Sequence, residues 1–146
     1  MASAFPSYLP QAEGLLPKWL LFVALISTAN SLQAYTTLTF TSRVYNPTPI
    51  DPPPTTPKHV TALSSRTFGT WTLLTSLVRL YAAYHINEPA MYQLAMWTYG
   101  VAWLHFMSEW LVFGTTRWGR PLAGPVLVAN GSLIWMLLQW GWYVKA

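Results

Sequence analysis

Apolar residues concentrate in four stretches of the chain, at about 19–40, 68–86, 90–113 and 122–143. At about 1.5 Å per helical residue each stretch reaches roughly 28–36 Å, enough to cross the ~30 Å hydrocarbon core of a bilayer. The twelve prolines respect this division. They stand in the leading segment (Pro6, Pro10, Pro17), in residues 47–57 (six of them), or at the start of an apolar stretch (Pro89, Pro121, Pro125). Proline is tolerated in the first turn of a helix and breaks its interior, so the placement predicts four uninterrupted spans. The connections are a polar tail over 1–18, a long loop over 41–66, a short turn Asn87, Glu88, Pro89, and a loop around Arg117 and Arg120. Spans two and three should form a tight antiparallel hairpin. The predicted fold is an all-α membrane protein: one domain over 19–146, a bundle of four transmembrane helices with a proline-rich loop between the first two.

The first span is the most polar, because Trp19 to Ile26 runs into Ser27, Thr28, Asn30, Ser31 and Gln33. A cleaved signal peptide is disfavoured: residues 1–18 hold three prolines and Glu13 where a short basic segment should stand. On a helix Ser27, Asn30, Ser31 and Ala34 share a face, a small and polar seam of the kind that lets helices approach closely in lipid. On span two Thr72, Thr75, Ser76, Arg79 and Ala83 share a stripe, and on span three Thr98, Ala102, His105 and Glu109 do. All three faces are predicted to point into the bundle. Trp19, Trp71, Trp118, Trp140 and Trp142 are placed near span ends, at the membrane interface. Residues 46–57, NPTPIDPPPTTP, favour extended polyproline II and cannot form a span. They read as a semi-rigid spacer. A groove-binding ligand is the less favoured reading, because PxxP spacings such as Pro49/Pro52 and Pro54/Pro57 arise readily in any such tract.

Composition sharpens this. Hydrophobic residues make up 53% and charged residues 8% of the 146 positions, about a third of the charge of a soluble domain. The net charge of +4 is too sparse for a nucleic-acid surface and suits an anionic leaflet. Loops 41–66 and 114–121 carry Arg43, Lys58, Arg66, Arg117 and Arg120, against Lys18 and Lys145 on the other side, which predicts cytosolic loops and termini across the membrane.

Enzymatic signatures are missing from the sequence. There is no cysteine, and the three histidines, His59, His85 and His105, are too few for a dinuclear iron site. No GxGxxG or GxSxG is present, and no Tyr stands four residues before a Lys. The expectation is a non-enzyme without cofactor or metal. A proton-coupled transporter is disfavoured by the lack of paired repeats or broken helices. Two loose sterol-contact patterns, Arg66/Phe68/Leu73 and Lys18/Phe22/Leu25, are common by chance in aromatic membrane helices.

The polar groups at membrane depth are the candidate helix-packing or partner-contact residues: Asn30, Gln33, Arg66, Arg79, His105 and Glu109. An ionised group at a helix centre costs roughly 2.5–3.5 kcal/mol to insert, so each should have a partner or a role. Distance from the 87–89 turn assigns partners. Arg79 lies about 10 Å in and Glu109 about 29 Å in, whereas Arg66 lies about 30 Å in. Glu109 is therefore expected to pair with Arg66, with His105 one turn away. Arg79, level with Asn30, Trp97 and Gln139, is expected to meet amide oxygens, an aromatic face or lipid phosphate.

Residues 16–33 (LPKWLLFVALISTANSLQ), 65–79 (SRTFGTWTLLTSLVR), 87–89 (NEP) and 105–114 (HFMSEWLVFG) together resemble the fungal ergosterol biosynthetic scaffold family. The likeness covers most of the membrane region and is weakest in the tail and the proline tract. Ser65 stands where the family pattern has alanine. The resemblance implies a multi-pass endoplasmic-reticulum protein that tethers the sterol C-4 demethylation enzymes: the sterol C-4 methyl oxidase, the C-3 sterol dehydrogenase/decarboxylase and the 3-keto sterol reductase. It implies no catalytic residue. A second copy of the chain is a further candidate partner. The alternative function is a small sterol or lipid carrier that holds the intermediate between its helices.

Overall fold

A computed structural model describes residues 8–45 and 60–144, and the proline tract 46–57 lies outside them. The described residues form helices and no strand: α1 Leu16–Thr36, α2 Thr39–Val44, α3 Ala62–Tyr84, α4 Pro89–Leu111, α5 Arg120–Leu138 and α6 Trp140–Tyr143. α1 and α3 pack along most of their length, α3 packs on α4, and α4 on α5. α5 returns toward α1, where the Trp19 indole N–H donates to the Ser132 hydroxyl at 2.8 Å. Chain order thus winds four long helices around a common centre.

Local chemistry sets the helix ends. α3 starts six residues before its apolar stretch because Thr61 and Ser64 form a capping box: the Ser64 N–H donates to Thr61 Oγ1 at 3.1 Å, and the Thr61 N–H to Ser64 Oγ at 2.8 Å. Its first turns are polar, so hydropathy alone starts the helix too late. The first stretch ends earlier than the apolar run. Thr36 and Thr37 turn their hydroxyls back onto the Leu32 and Gln33 carbonyls, Thr37 is extended, and the chain resumes as the short α2. The turn after α3 comprises residues 85–88, and Pro89 opens α4 as its first residue. Pro125 is inside α5, five residues past its start at Arg120, so its expected place at the start of the span is corrected. The helix continues through it, with one backbone donor missing in its second turn.

Two apolar clusters form the interior. One joins Leu16, Leu20, Ala82, Ala83, Ile86, Tyr92, Ala95 and Met136 at the end of the bundle holding the 85–88 turn. The other joins Ala34, Val44, Phe68, Phe106, Leu122 and Val126 at the opposite end. Tyr92 ties α4 to α5 by donating to the Met136 carbonyl at 2.6 Å. Outside, large apolar side chains point away from every long helix: Leu32 on α1, Leu74 on α3, Trp97 and Leu104 on α4, Leu137 and Leu138 on α5. On composition and length, one described helix, Arg120–Leu138, is apolar enough to cross a membrane. The other three are as long but are diluted by hydroxyls, Trp and Tyr.

Candidate functional site

The polar residues singled out by sequence separate into three environments. Arg79 is in the middle of the bundle and only 6% exposed. Its Nε donates to Thr98 Oγ1 at 3.0 Å, and a terminal nitrogen donates to the Thr98 carbonyl at 3.4 Å. The Thr98 hydroxyl in turn donates to the Ala95 carbonyl. The guanidinium carbon stands 4.1 Å from the centroid of the Tyr99 ring, a cation–π contact. No carboxylate among the described residues pairs with Arg79. The side chains of Arg79, Tyr99 and Asn30 line a central cavity of about 260 Å³ between α1, α3, α4 and α5, otherwise walled mainly by aromatic and aliphatic groups.

His105 and Glu109 lie toward the other end. His105 Nε2 is hydrogen-bonded to the Tyr45 hydroxyl at 2.5 Å, and its ring packs against Trp71 and Phe106. Burial, reinforced by Glu109, pushes the Tyr45 phenol well above its ordinary value. Tyr45 therefore stays protonated and donates, leaving Nε2 of a neutral His105 as acceptor. Glu109 accepts a hydrogen bond from the Thr115 hydroxyl, and its own carbonyl receives the Thr115 N–H at 2.9 Å. These residues border a second cavity of about 510 Å³.

Gln33 and Arg66 belong to neither group and face outward. The expected Glu109–Arg66 ion pair is absent among the described residues, where the one charged contact is His85 Nδ1 to Glu88 Oε1 at 3.0 Å on the exposed turn. Arg66 and Glu109 share a depth but not a direction. Ser65 is buried, and one residue on, about 100° around the helix, Arg66 points out. The Trp expectation is likewise corrected for Trp71, which packs edge-on against Phe68 at 5.1 Å well inside α3, whereas Trp19 stands at the fourth position of α1, near its end, with its ring against Trp135. In the Arg66/Phe68/Leu73 pattern Phe68 is buried while Arg66 and Leu73 are exposed, so the three share no face.

Sequence reasoning missed Tyr45, Thr98, Tyr99 and Thr115 as site residues. Thr98 was placed on an inward stripe, and its neighbour Tyr99, with the spacing Tyr92, Ala95, Tyr99, Ala102 at helical intervals, carried a readable signal of burial. Tyr45 and Thr115 lie outside the apolar stretches and carried none.

These features define a class: a protein helical throughout its described residues, with apolar outer faces and polar groups in its interior, in which no three His, Asp or Glu among the described residues are grouped to hold a metal. Residues 16–134 match the family model described as Erg28 like protein, and the chain belongs to that family. It is 46% identical over 146 residues to Ergosterol biosynthetic protein 28 of Candida albicans, covering 99% of this chain and 100% of the relative. Against the Saccharomyces cerevisiae protein of the same name identity is 42% over 132 residues, 90% of this chain and 84% of the relative. The human Ergosterol biosynthetic protein 28 homolog is 35% identical over 124 residues, 84% of this chain and 83% of the relative. No solved structure matches the chain.

Proposed function

We propose that this chain acts in sterol biosynthesis as a non-catalytic scaffold of the endoplasmic-reticulum membrane, crossing it four times and tethering the sterol C-4 methyl oxidase, the C-3 sterol dehydrogenase/decarboxylase and the 3-keto sterol reductase. The observation that carries the reading is the outward-facing apolar surface. α1, α3, α4 and α5 contain 21, 23, 23 and 19 residues, or about 28–35 Å each, and all present large aliphatic or aromatic groups to the outside. Such surfaces in water would be an aggregation hazard, whereas in a bilayer they face acyl chains or the helices of partners. The names of the relatives supply the pathway. Enzymes that share an insoluble intermediate gain effective concentration from a common platform, without any new chemistry on the platform itself.

Co-purification from mild detergent tests the reading. The tagged chain should bring down the three enzymes with no sterol added, and its loss should slow C-4 demethylation while each enzyme keeps its separate activity. Purified protein that alone turned over a C-4-methylated sterol would overturn the proposal.

A further inference from the structure

We infer that the central cavity is a binding site for a lipid-soluble carboxylate, its head held between Arg79 and Tyr99 and its apolar body directed between α1 and α5. The inference stands independently of the tethering reading.

Two separate observations point to a ligand. Arg79 is a guanidinium in an apolar interior whose donors are met by Thr98 alone, through one hydroxyl and one carbonyl, with no counter-charge from Glu13, Glu88 or Glu109. A charge at that depth is costly and commonly marks a ligand or ion site. Independently, the Tyr99 hydroxyl is fully buried, lines the cavity and makes no close hydrogen bond, the Ser132 hydroxyl beside it being engaged by Trp19. A buried hydroxyl without a close partner is costly, so a fold that retains one has a use for it.

Together these groups define the head. Unused guanidinium donors and a phenolic O–H on adjacent sides of one cavity offer hydrogen bonds and positive charge to a planar pair of oxygens, the recognition chemistry of a carboxylate. The remaining wall defines the body: Phe22, Ile26, Phe68, Trp71, Phe106 and Val128 present hydrocarbon. At about 260 Å³ the cavity is smaller than typical sites for drug-sized ligands, about 300–1,000 Å³. It would enclose the head and first carbons, leaving the rest to emerge laterally. α1 and α5 pack less closely than the other neighbouring long helices, which makes the gap between them the exit.

The test uses the full chain in phosphatidylcholine nanodiscs, with energy transfer from tryptophan to dansyl-undecanoic acid measured against protein-free discs. Saturable binding of the acid is expected, with its methyl ester about tenfold weaker or worse. Arg43→Gln, on an exposed arginine elsewhere, should bind as the parent does. Arg79→Gln should weaken the acid by about 30-fold and abolish the preference over the ester, and Tyr99→Phe should weaken it about tenfold, the ordinary worth of a hydrogen bond to a charged group. Displacement by palmitate indicates an acyl ligand and displacement by cholanic acid a steroid one; displacement by neither overturns the site. Equal binding of acid and ester, or parental affinity in Tyr99→Phe, also overturns it. The second criterion decides the matter alone if Arg79→Gln does not fold.

Discussion

Gly69 of α3 abuts the backbone of Ser31 on α1: a Cβ added to Gly69 would lie 3.1 Å from the Ser31 carbonyl oxygen and 2.8 Å from the Tyr35 ring. The contact is possible because the facing residues Ser31, Ala34, Ser65 and Ser76 are all small and buried. Association of this kind in lipid rests on van der Waals contact between backbones. Gly69→Ala should destabilise the α1–α3 pair by about 1–3 kcal/mol, the usual range for overpacking, read as a lowered unfolding midpoint in detergent. Adding Tyr35→Ala should recover only part of the loss, since the ring can be removed and the carbonyl cannot.

Ser65 ties the same seam together with polar contacts. Its hydroxyl donates to the Ala34 carbonyl at 2.6 Å and lies 2.9 Å from the Thr41 hydroxyl, joining α1, α2 and α3 at one point. Ser65→Ala leaves the Thr41 hydroxyl without this partner at a buried position. A loss of about 1 kcal/mol is expected. The same substitution paired with Thr41→Val should cost less than the sum of the two, because both ends of the contact are removed together.

The segment before α1 is held down by hydrogen bonds. Tyr143 donates to the Glu13 carbonyl at 2.8 Å, and Tyr84 to the Tyr8 carbonyl at 2.6 Å. Gly14 adopts φ +89°, and a Cβ there would collide with the Tyr143 hydroxyl. Gly14→Ala is therefore strained both by its backbone and by contact. Limited proteolysis should cut within residues 8–15 faster in Gly14→Ala and in Tyr84→Phe/Tyr143→Phe than in the parent; equal rates would show these contacts to be dispensable.

The orientation expectation rests on the five-to-two tally of basic residues flanking the apolar stretches. It places the proline tract in the cytosol. A glycosylation acceptor inserted within residues 48–56 should remain unmodified in microsomes, and efficient modification would reverse the assigned sidedness.

What the sequence made legible was facing, and what it hid was chain-distant partnership. The stripe Thr72, Thr75, Ser76, Arg79 and Ala83 follows from 3.6-residue periodicity, and the structure buries or half-buries each member. Helix ends were harder. The capping box at Thr61 and Ser64 is polar, so an apolar count passes over it, and Thr36–Thr37 end α1 inside what reads as a continuous span. Partners from outside the apolar stretches were hardest. Tyr45 reaches His105 across 60 positions of sequence, a contact set by the docking of the short α2 and not by any local pattern.

The charges now divide by direction as well as depth, and this changes what substitution should do. Arg66 is exposed and unpaired among the described residues, while Glu109 is engaged by Thr115 on its own side of the bundle. Arg66→Glu should shift stability by no more than about 0.5 kcal/mol, as for surface substitutions generally. Combining it with Glu109→Arg should give no rescue, since no pair exists to be reversed. Thr115→Val removes the donor to Glu109 and should cost more than Arg66→Glu, about 1–3 kcal/mol for a charge-assisted contact. Arg79→Met should cost little or stabilise, because it removes a buried charge that no carboxylate compensates while the Thr98 hydroxyl keeps its bond to the Ala95 carbonyl. Unfolding midpoints in a single detergent give the ranking directly. A double-mutant cycle returning a coupling above about 1 kcal/mol between positions 66 and 109 would restore the ion pair that the helix faces exclude.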